Sequence, residues 1–321
     1  MRAFIALKRN YKLANYETIN FIANYHQVNP MSPITDSWQE DYIITNGVKL
    51  HYVTQGEGKL MLMLHGFPEF WYSWRHQIPE FASDYKVVAL DLRGYNDSDK
   101  PKDVSAYQIT ELVNDIKGVI QGLGYESCIL VGHDWGGMIA WYVAYTYPQL
   151  VDKLIVMNIP HPAKFAEALR RNPQQLLRSW YIFFFQLPLL PELLFQWDDY
   201  RLIASSFIDM AIDKSAFSEA DLNAYKDAAA KRGAMTAMLN YYRNVFQGIF
   251  KQHRWDVLPI PTLLIWGEND TALGKELTYN TNDYVPNLQI RYIPNCSHWV
   301  QQEQPQLVNQ YMREFLAKDE G

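Results

Sequence analysis

The stretch Val131-Gly132-His133-Asp134-Trp135-Gly136-Gly137 follows an apolar run and opens a helical pattern, with a carboxylate at its centre. A strained strand-to-helix turn of this kind exposes one side chain above the end of a sheet. Small residues at 132, 136 and 137 let backbone pass close to backbone there. Such turns commonly present serine; this one presents Asp134. A carboxylate so placed is a nucleophile towards carbon bearing a leaving group, and its intermediate is an ester with the enzyme. Ordinary esters are unsuitable substrates, because attack on them would give an anhydride. The competing reading is a phosphate-type glycine turn in which Asp134 only caps the helix.

Residues further along the chain argue against a mere cap. The apolar run Thr262–Ile265 leads into Trp266-Gly267-Glu268-Asn269-Asp270, and Leu288–Ile293 leads into Pro294-Asn295-Cys296-Ser297-His298-Trp299. The order nucleophile, acid, histidine is that of a triad built on strand ends. His298 can act as general base on water, with Asp270 fixing its tautomer and stabilising the imidazolium. Glu268 is the competing acid, and Asp270 is preferred. His65-Gly66-Phe67-Pro68-Glu69 follows an earlier strand, where the backbone N–H of Phe67 joins that of Trp135 in an oxyanion hole. His133 reads as a packing residue beneath the turn, His51 as a strand residue and His161 as the mark of a junction.

These residues need a sheet that carries them at one edge. Tyr42–Thr45 and Val48–Thr54 flank Asn46-Gly47, which predicts a tight hairpin. Leu60–Leu64, Val87–Leu90, Ile129–Val131 and Leu154–Met157 are apolar throughout, as strands covered on both faces are. Helical periodicity over Ile109–Leu123, Gly137–Tyr147 and Val300–Phe315 alternates with them. The expected fold class is α/β, with a doubly wound, mostly parallel sheet. Between Pro160 and Pro259 the alternation stops, leaving helical stretches rich in aromatics. The expected domains are an N-terminal extension over 1–36, a core over 37–160 and 259–321, and a helical cap over 161–258. The extension reads as a short helix ending in an extended linker, and Met31 offers an alternative start.

Composition narrows the function. With 48% hydrophobic and 20% charged residues over 321 positions, the chain is ordinary globular protein of one domain plus an insertion. A net charge of −6 without a basic stripe argues against nucleic acid. Two cysteines, Cys128 and Cys296, make no disulfide framework, and neither their spacing nor neighbouring histidines suggest zinc. No metal or organic cofactor is expected. No run approaches the ~18 apolar residues of a membrane span, and Ala3–Leu7 is too short for a signal peptide, so the cytoplasm is the expected location.

From about Trp38 to the C-terminus, the chain resembles the soluble-type epoxide hydrolases of the α/β-hydrolase superfamily. The resemblance rests on His65–Glu69, Asp91-Leu-Arg-Gly-Tyr95, Gly132–Gly137, Trp266–Asp270 and His298–Pro305. It implies two cap tyrosines. One is Tyr181 in Tyr181-Ile-Phe-Phe-Phe-Gln186; the other is Tyr242 in Asn240-Tyr-Tyr-Arg-Asn244, where Tyr241 stands adjacent. It also implies opening of an epoxide by Asp134, protonation by both phenols, and hydrolysis of the ester to a vicinal diol. The substrate would be a small apolar epoxide, with water as co-substrate, and the protein a monomer or homodimer. Trp135, Trp180, Phe184 and Trp299 are the expected substrate-binding aromatics. Haloalkane and haloacid dehalogenases share the aspartate turn and form the alternative. A catalytically silent small-ligand binding protein is the reading outside enzymes.

Overall fold

A computed structural model describes residues 38–249 and 255–317, with only the backbone of 246–249; the expected extension over 1–36 lies outside the described residues. Eight strands form one sheet in the order β1-β2-β4-β3-β5-β6-β7-β8. Their ranges are β1 Gln39–Thr45, β2 Val48–Gln55, β3 Lys59–Leu64, β4 Tyr85–Leu90, β5 Cys128–His133, β6 Val151–Met157, β7 Thr262–Gly267 and β8 Leu288–Ile293. β2 pairs antiparallel with both β1 and β4, and every pairing from β4 through β8 is parallel.

Local chemistry accounts for these elements. At the β1–β2 turn, Asn46 and Gly47 both have positive φ, +48° and +74°, as the twist of a two-residue hairpin demands. All six residues of β5 and the last five of β3 are buried, which is why those strands read as unbroken apolar runs. β8 is one of the sheet's two edges; it is partly exposed and carries Gln289 and Arg291 among apolar neighbours. Helices α1 Ile78–Phe81, α2 Ile109–Gly122 and α3 Asp134–Thr146 alternate with the early strands. The expected terminal helix is split into Val300–Glu303 and Pro305–Leu316. Pro305 has no N–H to continue the ladder and pushes Gln304 out of helical geometry.

Between β6 and β7 the described residues form helices and no strand. They are α4 Pro162–Arg171, α5 Pro173–Arg178, α6 Trp180–Phe184, α7 Leu190–Met210, α8 Glu219–Ala230 and α9 Ala234–Ile249. Their starts are chemically marked. Proline occupies the first turn of α4 and α5, and Asn172 accepts the N–H groups of Gln174 and Gln175. Ser218 and Asp221 form a reciprocal capping box at α8. Helix α7 is interrupted by the non-helical residues Trp197–Tyr200.

Candidate active site

β5 runs straight into α3, and Asp134 at the junction has φ +48°. For a residue with a Cβ this conformation costs on the order of 1–3 kcal/mol and persists only where the surroundings enforce it. They do so here: a Cβ added to Gly132 would lie 2.5 Å from the carbonyl oxygen of Gly136. Gly66 is equally constrained, since a Cβ there would overlap the Asp134 side chain, 2.6 Å from Oδ1. The loop after β3 therefore wraps the nucleophile. Its Phe67 N–H donates to Asp134 Oδ1 at 2.9 Å. Trp135 comes next, at the start of α3, where first-turn N–H groups lack helical partners.

His298 sits on the loop after β8, with Nε2 3.5 Å from Asp134 Oδ2 and Nδ1 2.6 Å from Asp270 Oδ2. Asp270 is buried and oriented from every side. Its Oδ1 accepts the N–H groups of Ala272 and Leu273 at 2.8 and 2.9 Å, and its Oδ2 also accepts Asn158 Nδ2 at 2.8 Å. Asn158 in turn accepts the Gly267 N–H at 2.9 Å, tying the end of β6 to the Asp270 loop. Asn158 is not among the residues expected from the sequence; its one signal there is an amide directly after a buried strand. Glu268 does not approach His298 and instead pairs with Lys275.

The electrostatics couple these groups. Burial pulls the His298 imidazole down, but the charges of Asp270 and Asp134 overcome it and hold the group well above its ordinary value. Burial pushes Asp134 up, yet contact with His298 and the Phe67 N–H holds its carboxyl below the usual range. Asp134 is thus an anion beside an imidazolium.

The two cap tyrosines come from separate helices, Tyr181 from α6 and Tyr242 from α9. Their rings meet edge to face with centroids 5.8 Å apart. Both share with Asp134 and Trp135 a cavity of about 1060 Å³, walled further by Met138, Ile182 and Leu273. Burial, and then the negative charge of Asp134, raise both phenols, so they stay protonated at neutral pH. Tyr241 also reaches the cavity wall, but its hydroxyl donates to the Arg93 carbonyl at 2.6 Å.

The expected substrate-binding aromatics separate. Trp135 lines the cavity and meets Tyr242 edge-on at 5.2 Å. Trp180 is 63% exposed, and neither it nor Phe184 is among the described residues of the cavity wall. Trp299 is buried off that wall, against His298 at 4.9 Å and Phe207 at 4.5 Å.

A second buried network surrounds His133, expected from the sequence as a hydrogen-bonded packing residue, but its partners are not among the expectations. Glu69 Oε2 accepts the Gly66 N–H at 2.8 Å and His133 Nδ1 at 2.7 Å, while His133 Nε2 donates to the His298 carbonyl at 2.9 Å. Both ring nitrogens of His133 are thereby engaged, which fixes the orientation of the ring. Gln301 and Gln302 donate to Glu69 Oε1 at 2.9 and 2.8 Å, and Gln302 accepts Arg75 and the cap hydroxyl of Tyr225. The oxyanion loop, the turn and the His298 loop are thereby braced together. Among the described residues no cluster of His, Cys, Asp or Glu could hold a metal ion.

Residues 59–305 match the α/β hydrolase fold family. The chain is 45% identical over 281 residues to human epoxide hydrolase 4, covering 85% of this chain and 77% of that protein. It is 44% identical to Caenorhabditis elegans epoxide hydrolase 1, over 89% of this chain and 72% of that one. Among solved structures, an inhibitor complex of the Bacillus megaterium epoxide hydrolase superposes with a TM-score of 0.82 at 42% identity, covering 87% of this chain and all of that one.

Proposed function

The chain belongs to the α/β hydrolase fold family, among its epoxide hydrolases, and from that premise we propose that Asp134 opens the epoxide as a covalent nucleophile. The observation that carries the proposal is the meeting of a half-buried carboxylate and two protonated phenols in one cavity.

Asp134 Oδ1 is held by the Phe67 N–H, which leaves Oδ2 to attack an epoxide carbon. The ring C–O bond breaks, and the developing alkoxide takes a proton from Tyr181 or Tyr242. Ester formation removes the charge of Asp134, one of the two anions that hold the proton on His298. The imidazolium then loses its proton, which restores the tyrosinate to a phenol, and the neutral imidazole becomes a competent base. With Asp270 behind it, it takes a proton from water attacking Cγ of the ester. The Phe67 and Trp135 N–H groups hold the oxyanion on Oδ1, typically contributing about 3–4 kcal/mol each. Collapse of this intermediate returns the Asp134 carboxylate and releases a 1,2-diol, with one water consumed.

The steps above use only side chains, backbone N–H groups and water, with no metal or organic cofactor. The apolar part of the cavity wall, with Trp135, Met138, Ile182 and Leu273, suits a small apolar epoxide. We place the protein in the cytoplasm as a monomer or homodimer, a location that its two buried free thiols support. Among the described residues no helix is long and apolar enough to cross a membrane. A single turnover in heavy-oxygen water tests the ester: label is expected in the Asp134 carboxylate. Label entering the diol on the first turnover would show direct attack by water.

A further inference from the structure

Isolated exposed apolar side chains are normal on a protein surface, whereas large contiguous groups mark an interaction site. The cap concentrates exposed large apolar side chains in one short stretch of sequence, residues 176–197. Leu177 and Trp197 are each 74% exposed, Leu189 71%, Trp180 and Leu193 63%, and Leu190 52%. Four further large apolar side chains between 176 and 194 are also exposed. We propose that this face of the cap, from Arg170 to Trp197, docks on an anionic lipid bilayer.

Charge supports a lipid surface. In a chain of net charge −6, the residues from Arg170 to Pro191 include three arginines and no acid; Arg171 pairs with Glu167 at 3.7 Å and Arg178 with Glu276 at 3.4 Å, while Arg170 and Arg171 also stand at the wall of the site cavity. The next acid, Glu192, is buried and paired with Arg243 at 2.8 Å. Asp198 and Asp199 lie past Trp197 and are paired with Arg201 and Lys226. An apolar face with an arginine rim and indoles at both ends has the composition of surfaces that rest at the headgroup boundary.

Hydrogen-bonding capacity separates a bilayer from a protein partner. Protein interfaces carry about one hydrogen bond per 100–200 Å², and this face offers few side chains to make them. Ser179 is buried against Gln175 at 3.0 Å, and Gln186 donates inward to the carbonyls of Ile182 and Tyr242, each at 2.9 Å. Tyr181 faces the cavity. Besides the arginines, the exposed polar side chains of the stretch are Gln174, Gln196 and the indoles of Trp180 and Trp197; its other exposed side chains are mostly hydrocarbon.

The same short helix, α6, turns Tyr181 and Ile182 to the cavity while Trp180 and Phe183 face solvent. Docking there would set the wall of the site directly above a phase in which apolar epoxides concentrate. That benefit rests on the epoxide reading; the docking itself does not.

The test uses the full chain with phosphatidylcholine vesicles, with and without phosphatidylserine. Sedimentation with the anionic vesicles is expected, weakened by salt. The Leu177→Glu, Leu193→Glu double variant should bind more than about tenfold more weakly, from the loss of two buried leucines. Its turnover of a water-soluble epoxide should match the parent's. Brominated lipids should quench tryptophan fluorescence of the parent. Residues 1–37 contain no tryptophan, so quenching reports on residues from Trp38 onward independently of any variant. Absence of vesicle binding, absence of quenching, or equal binding by the double variant overturns the proposal. So does a lipid-free dimer of the parent that the double variant abolishes, since a second copy would then cover this face.

Discussion

Glu69 Oε2 and His133 Nδ1 lie 2.7 Å apart with neither side chain reaching solvent, and the same Glu69 oxygen holds the N–H of Gly66. Because Gly66 precedes Phe67 and His133 precedes Asp134, this pair sets the distance between oxyanion donor and nucleophile. Burial pushes Glu69 up, but the charge of His133 and the hydrogen bonds to it prevail, so its carboxyl lies below the ordinary value of 4.5. A depressed acid contributes stability that is present above the unfolded value and lost as pH falls through the folded one. Glu69→Gln should cost about 1–3 kcal/mol near neutral pH by disturbing a buried acceptor shared by the Gly66 N–H and His133. It should also lose less stability than the parent on acidification below 4.5. Urea unfolding of both proteins across that range checks this; parallel pH profiles would contradict the ion pair.

His298→Phe removes the base for the second step only. Alkylation of Asp134 should survive and hydrolysis should stop. Intact-mass measurement after adding epoxide should show a stable adduct of one substrate per chain. A fully active variant without adduct would mean that another group activates the water.

Asp270 and Glu268 stand two residues apart, yet only Asp270 touches His298, at 2.6 Å. Asp270→Asn should slow ester hydrolysis by roughly 10²–10⁴-fold, while Glu268→Gln changes turnover little. Asn158→Ala should act on the same step through Asp270, with a smaller loss, because the Ala272 and Leu273 N–H groups still hold that carboxylate. Single-turnover decay of the alkyl-enzyme reads all three variants. A larger effect from Glu268→Gln would reverse the assignment of the acid.

The parts legible in the sequence are those whose chemistry is local. Asn46-Gly47 can make one kind of turn, and an unbroken apolar run such as Leu60–Leu64 belongs inside a sheet. Gly132 and Gly136 are demanded by backbone contacts within the turn itself. Asn158 and Glu69 escaped because their partners, Asp270 and Gln302, lie 112 and 233 residues away and exist only after folding. Trp180, Phe184 and Trp299 show the opposite limit. An aromatic side chain in a cap has the same sequence signature whether it faces substrate, solvent or core. Tyr242 and Tyr241 are neighbours of one type, and only the fold gives their hydroxyls different surroundings.

The two phenols yield the sharpest expectation. An epoxide oxygen departs as a strongly basic alkoxide, so its charge must be met as it forms. Tyr181 and Tyr242 approach from different helices, so either can partly cover for the other. Loss of one such donor typically costs about 10²–10³-fold, and each single Tyr→Phe change should cost somewhat less. The double Tyr181→Phe, Tyr242→Phe protein should keep its fold and lose nearly all epoxide opening. Both phenols are raised above the ordinary value of 10.0 by burial and by the Asp134 charge. In the His298→Phe background, where only alkylation proceeds, its rate should therefore stay level to about pH 10 and fall only beyond it. Halide release from a haloalkane and a haloacid should stay below diol formation in the parent, because halide leaves without a proton and gains nothing from the phenols. A rate that falls well below pH 10, or a double variant that opens epoxides normally, would remove the tyrosines from the mechanism. Halide release exceeding diol formation would instead mark a dehalogenase.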